Sequence, residues 1–112
     1  MKTIIAGSRN IHNYQLLLWA IKRCSWNITE VISGGAAGAD KLGERYAVEN
    51  NIPLTVIKAE WDKLGKKAGY IRNEKMSEMA DALIALWDEK SLGTKHMINI
   101  ATRKKLKMFI AT

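Results

Sequence analysis

The chain has one cysteine, one proline and one phenylalanine among 112 residues. A lone Cys24 excludes an internal disulfide and any zinc site built on several cysteines, and it fits a reduced, cytoplasmic setting. No run of about 18 apolar residues occurs, so no membrane span is expected. The opening stretch "MKTIIAGSRN" has too short an apolar part for a signal peptide, and polar residues follow at once. Acidic residues are scarce: 11 Asp and Glu stand against 18 Lys and Arg, for a net charge of +7. That excess favours anionic partners such as nucleotides, phosphates or nucleic acid, although a solvated basic surface would look the same in composition. Aromatic residues make up 7%, and only Trp61 and Tyr70 lie in a basic stretch where bases could stack. There is no internal repeat and no low-complexity segment. The length fits one domain over residues 1–112.

What is present alternates between two patterns. "KTIIAG" (2–7) is a short apolar run ending in glycine and is expected to be a buried strand. Residues 13–25 carry Leu16, Leu17, Trp19, Ala20 and Cys24 at helical spacing. "TEVIS" (29–33) reads as a strand, 38–51 as a helix, and "PLTVIKA" (53–59) as a strand opened by Pro53. Residues 60–70 hold two glycines and read as a loop or broken helix; 71–80 is helical. "DALIALWD" (81–88), a helix over 95–105 and "LKMFIA" (106–111) complete the series. Five strands separated by four helices predict an α/β fold, a Rossmann-like three-layer sandwich on a five-stranded parallel sheet. Right-handed crossovers leave few topologies, and the order 3-2-1-4-5 is preferred. Such sheets bind ligands at the carboxyl ends of their strands, where the strand order reverses.

Three strands end in polar, glycine-bearing loops: "GSRN" (7–10), "SGGAAGAD" (33–40) and "WDEKSLGT" (87–94). In the preferred order these strands are neighbours, so their loops meet on one rim. Gly34 and Gly35 allow a sharp turn and a close approach to the backbone. The helix that follows aims its free N–H groups at the same rim. Ser8 and Arg9 offer a hydroxyl and a planar cation suited to phosphate or carboxylate, and Ser91 and Thr94, beside Gly93, can act likewise.

"SGGAAGAD", "WDKLGKKAGYIRNEKM" (61–76) and "ALWDEKSLGTKHMINIA" (85–101) together resemble the YspA-related branch of the SLOG superfamily. That superfamily includes the LOG phosphoribohydrolases and the DNA-processing protein DprA. The resemblance runs from residue 7 almost to the end. It implies a Rossmann-like fold with a nucleotide or nucleotide-derived ligand at the glycine rim. Carried over residue by residue, it marks Gly7, Ser8 and Arg9, then Ser33, Gly34, Gly35, Gly38, Ala39 and Asp40. It also marks Trp61, Gly65, Gly69, Arg72 and Asn73, and lastly Ser91, Gly93 and Thr94. One departure bears on chemistry. The hydrolases carry a "PGGxGTxxE" motif, whereas this chain reads "EKSLGTKHMI", with Met97 in the place of the glutamate. LOG-type hydrolysis is therefore not expected to carry over.

Asp40, Glu44 and Arg72 are the candidate catalytic groups. Asp40 could accept a ribose hydroxyl or simply favour the first turn of its helix. Glu44, four residues on, could join it as acid and base or hold a magnesium ion brought with a nucleotide; a solvated helix face is the plainer reading. No protein metal site is expected. Trp61 either packs beneath the "GKKAG" segment or stacks on a base. Trp87 is expected to end a buried strand. His96 has no cysteine or serine partner visible near it in sequence, His12 lies in a presumed loop or helix start, and Cys24 is expected to pack in the core. The basic cluster over 63–75 could close over a phosphate as a lid with glycine hinges, while "TRKKLK" (102–107) reads as solvated surface. The broad apolar character of residues 14–26 predicts a homo-oligomer with the first helix in the contact. Two functions therefore stay open: a protein that binds or processes a nucleotide, and a DprA-like nucleic-acid-binding module.

Overall fold

The computed structural model describes all residues from Met1 to Thr112. Its elements are β1 (Lys2–Gly7), α1 (Tyr14–Arg23), β2 (Glu30–Ser33), α2 (Ala39–Glu49), β3 (Leu54–Val56), α3 (Trp61–Leu64), a 3₁₀ turn (Gly65–Lys67), α4 (Ala68–Met79), β4 (Ala82–Leu86), α5 (Leu92–Arg103) and β5 (Lys107–Ala111). The strands form one five-stranded sheet in the order β3-β2-β1-β4-β5, and every neighbouring pair is parallel. This is the Rossmann-like α/β sheet and strand order expected from the alternation.

The side-chain alternation of each strand sorts the core into two layers. Ile5, Val31, Ile84 and Leu86 face α1 and α2, where they meet Leu17, Ala20, Leu42 and Ala47. Ile4, Ala6, Ile32, Leu83 and Ala85 face the other way, onto Met76, Met97, Ile100 and Ala101. All five residues of β4 are buried, as a central parallel strand covered on both faces requires. Gly43 sets the spacing of the first layer. A Cβ there would lie 2.7 Å from the Ile5 Cβ, so only glycine lets α2 come this close to β1.

Several boundaries differ from the sequence reading. Helix α4 begins at Ala68 rather than 71, because Ala68 is buried and seats the first turn despite the adjacent Gly69. Helix α5 begins at Leu92 rather than 95, because Ser91 caps it: the Ser91 Oγ accepts from the Thr94 N–H at 3.3 Å. Strand β3 is only three residues long and lies at an edge of the sheet. Trp87 lies past the end of β4 and is half-buried, its indole N–H donated to the Ser91 carbonyl at 3.1 Å. Cys24 packs against the first core layer and donates its thiol to the Ile21 carbonyl at 3.1 Å. The apolar width of α1 is largely absorbed within the protein. Leu16, Leu17, Ala20 and Ile21 pack on the sheet, as does Trp26 just beyond the helix, and the Trp26 indole donates to Thr3 Oγ1 at 3.0 Å. The large outward residue is Trp19, which meets the Phe109 ring edge-on at 5.8 Å and carries the Arg23 guanidinium at 4.8 Å. The surface that α1 offers a second copy is thus narrower than its sequence implies.

Gly43→Ala gains helix propensity but drives a methyl group into Ile5. The strain of an overpacked core, about 1–3 kcal/mol, should outweigh a propensity gain of about 1 kcal/mol. Urea unfolding should show a lower midpoint. An unchanged or higher midpoint would mean that α2 can move away from β1 without loss.

Candidate functional site

The strand order reverses between β1 and β4, and a cavity of about 490 Å³ opens beside their carboxyl ends. Its walls come from the β1–α1 loop, the start of α2, the α3–α4 region and the β4–α5 loop.

The β1–α1 loop supplies Gly7, Ser8, Arg9 and Asn10. Gly7 must be small, because a Cβ there would overlap the Leu86 carbonyl of the neighbouring strand. Ser8 is 1% exposed; its Oγ accepts the Asp88 N–H at 3.0 Å, which ties the first loop to the fourth. Arg9 is exposed at the mouth.

The glycine-rich β2–α2 loop makes close internal contacts. Gly38 has φ +75°, and a Cβ there would sit 2.4 Å from the Arg9 carbonyl oxygen. The close approach is thus to the β1–α1 loop, sealed by the Ala39 N–H donating to the Ser8 carbonyl at 3.2 Å. Gly35, at φ +73°, faces the Val56 and Lys58 side chains. Ser33, Gly34, Gly35, Gly38 and Ala39 are absent from the cavity wall, which takes only Ala36 and Asp40 from this stretch. Ser33 hydrogen-bonds instead to Glu44 Oε2 at 2.7 Å, and the other oxygen of Glu44 meets Lys41 at 3.4 Å. Glu44 therefore does not share the cavity with Asp40.

Asp40 is 4% exposed and accepts the Ala36 N–H on Oδ2 at 3.1 Å. Burial pushes its carboxyl up to about 6, against the lowering effects of the Ala36 N–H and the Arg72 charge. Arg72, on α4, reaches across to donate to the Gly34 carbonyl at 2.7 Å and, through Nε, to Asn73 Oδ1 at 3.1 Å. Its pKa is drawn down, first by burial and then by Arg9, with Asp40 opposing. Gly34 makes room for this reach, since a Cβ there would be 2.7 Å from the guanidinium. Asn73 is 4% exposed; its Nδ2 donates to the Gly93 carbonyl at 3.3 Å and lies 3.1 Å from His96 Nδ1. The His96 ring packs on Tyr70 at 4.4 Å, and burial holds its pKa below the usual histidine range.

The β4–α5 loop is organised by Asp88, whose Oδ1 accepts the Lys90 and Ser91 N–H groups at 2.8 Å each. Those bonds lower its pKa. Thr94 is buried and donates its hydroxyl to Ser91 Oγ at 3.0 Å.

Of the residues marked from sequence, Gly7, Ser8, Arg9, Asp40, Trp61, Gly69, Arg72, Asn73, Ser91, Gly93 and Thr94 share the cavity wall. Lys66 and Tyr70, from the basic stretch read as a lid or stacking segment, line it too, as do Ala6, Asn10, Ala36, Met76, Asp88 and Met97, which the sequence reading did not mark as site residues. Asp88 carried a usable signal, an acidic residue just past a buried strand at the switch point. Met97 was legible only as the residue in the place of the hydrolase motif's glutamate, and Met76 carried no signal, because a buried methionine on a helix reads as core. No group of three His, Cys, Asp or Glu side chains lies together in a way that could hold a metal ion.

The buried Asp40 carboxyl has a direct consequence for stability. Between pH 4 and 6 the folded protein keeps a proton that the unfolded chain has released, so Asp40 makes stability fall as pH rises through that window. Asp40→Asn removes this contribution. The variant's unfolding free energy relative to wild type should rise by roughly 2 kcal/mol from pH 4 to pH 7, most of the linkage between the two pKa values. Parallel pH profiles for the two proteins would show that the carboxyl titrates normally.

A family model described as the YspA, cpYpsA-related SLOG family matches residues 1–64, from β1 through α3. The Gene 61 protein of Mycobacterium phage D29 is 35% identical over 79 residues, covering 65% of this chain and 63% of that protein. No solved structure matches the chain. The match takes in the β1–α1 and glycine-rich loops, and the chain belongs to the YspA, cpYpsA-related SLOG family.

Proposed function

We propose that the cavity binds a nucleotide or nucleotide-derived anion and serves as a binding or sensing site, not as a phosphoribohydrolase of the LOG type. Gly7, Ser8, Arg9, Asp40, Arg72, Asn73, Ser91, Gly93 and Thr94 are the proposed contact residues. The observation that carries this reading is the convergence of Arg9, Lys66 and Arg72 on one concave site at the switch point. Against these three cations stand two carboxylates: Asp40, whose pKa burial raises to about 6, and Asp88, whose charge the Lys90 and Ser91 N–H groups stabilise. Arg9 and Lys66 are exposed at the site, so they can reach a phosphate without breaking an internal bond.

The case against hydrolysis rests on Met97. It is 1% exposed and lies on the cavity wall, where the hydrolase motif has its glutamate. A thioether can neither take a proton from water nor give one to a leaving group. With no cluster of ligating side chains, any magnesium would be held chiefly by the ligand's own phosphates.

Calorimetry with AMP and adenosine tests the reading. Arg9→Ala should weaken AMP binding roughly tenfold, about 1.4 kcal/mol, and leave adenosine unaffected. Salt should weaken AMP binding only modestly, whereas an interface that tracks a nucleic-acid backbone loses affinity steeply. Equal losses for AMP and adenosine would remove Arg9 as a phosphate ligand. An oligonucleotide that bound more tightly than AMP, with a steep salt slope, would replace this reading with a nucleic-acid-binding one.

A further inference from the structure

The four tryptophans of this chain differ in what satisfies them. Trp26 and Trp87 donate their indole N–H groups to Thr3 and Ser91. Trp19 has Phe109 at its edge and Arg23 over its face. Trp61 has no aromatic, cationic or hydrogen-bonding partner of this kind. It is 49% exposed, and it is the tryptophan that lines the cavity. Large half-exposed rings on a concave polar site are where planar ligands find their largest contact area.

The surroundings hold the ring in place but leave it accessible. Gly69, in the first turn of α4, lies under the ring: a Cβ there would be 3.2 Å from Trp61 Cη2 and 3.9 Å from the Arg72 guanidinium. The indole is therefore packed by one edge over α4, beside the cation that ties the cavity loops together. Neither α3 nor the following 3₁₀ turn buries a residue. Between them Gly65 adopts φ +57° with open space where a Cβ would be, so its role is backbone conformation and not packing. The segment Trp61–Lys67 is thus a flap that carries a ring and a cation, Trp61 and Lys66, to the mouth of the cavity.

We propose that Trp61 is the base-recognition wall of the site: the flap presents its indole for stacking on a planar nucleobase, while the phosphate lies toward Arg9 and Ser8. This deepens the nucleotide-binding reading and rests on it. It commits the ligand class to one bearing an aromatic ring, and excludes a bare sugar phosphate or inorganic phosphate as the preferred occupant. Stacking tolerates any base because every base has a π-face, so discrimination among bases is expected to be weak.

Calorimetry with the four ribonucleoside 5′-monophosphates and with ribose 5-phosphate tests this directly. Wild-type protein should bind at least one nucleotide on the order of tenfold more tightly than the sugar phosphate, the range expected of one stacked base. Trp61→Ala should bring the two affinities within about twofold of each other, leaving that for ribose 5-phosphate unchanged. Trp61→Phe, which keeps a ring, should retain most of the preference. Gly69→Ala, which pushes on the indole from below, should reduce it. If wild type binds nucleotides and ribose 5-phosphate equally, or if Trp61→Ala keeps the preference, the stacking proposal is overturned while anion binding stands. If neither probe binds wild type, both the proposal and the nucleotide-binding reading are overturned.

Discussion

One hydrogen bond ties the α4 wall of the cavity to the glycine-rich loop: the Arg72 guanidinium donating to the Gly34 carbonyl at 2.7 Å. It joins α4 to the β2–α2 loop across the switch point, and it needs glycine at position 34 because a Cβ there would collide with the guanidinium. The same side chain orients Asn73, and Asn73 in turn reaches the Gly93 carbonyl and His96. The β2–α2 loop and the start of α5 are therefore both tied to α4 through one half-buried cation and its neighbour Asn73. Withdrawing that cation from water is costly, and the neighbouring Asp40 carboxylate only partly offsets the cost, since burial favours its neutral form. Such an arrangement is retained where it positions a site, because apolar packing would stabilise the same contact with less penalty.

The electrostatics follow from this layout. Backbone N–H groups satisfy Asp88, and burial raises the Asp40 carboxyl to about 6, so that it is partly protonated at mildly acidic pH. The exposed cations at the opening are Arg9 and Lys66, facing an ionised Asp88 whose charge the loop N–H groups stabilise, while Met76 and Met97 make the wall apolar. A polar, cationic entrance over a thioether floor suits a ligand with an anionic end and a flat, weakly polar end.

The sheet was legible in the sequence because its signals are local. Apolar runs such as "KTIIAG" and "ALIAL" can only be covered strands, and alternation with helices leaves few orders to choose from. The start of α4 was not legible: "GKKAGYIRN" has two glycines, and its helical state depends on the burial of Ala68, on the Arg72 reach and on the Trp61 ring over Gly69. The glycine-rich loop was read as a surface for close approach of a ligand. In the folded protein Gly38 is a surface for close approach of Arg9's backbone, a distinction that only tertiary contact makes visible. Met97 shows the same limit from the other side. Its place in the sequence marks it only as a departure from the hydrolase motif, whereas the fold buries it and makes it part of the cavity wall.

The central claim is that this cavity, and no other surface, is where a nucleotide sits. Amide and indole chemical-shift mapping by NMR during titration with a mixture of ribonucleoside 5′-monophosphates tests it most directly. The account predicts a single connected set of perturbations: the Ser8, Arg9, Gly93 and Thr94 amides together with the Trp61 indole, with α1 and β5 silent. Perturbations centred on Trp19 and Phe109, or scattered over the basic residues 102–107 with the cavity unmoved, would contradict it.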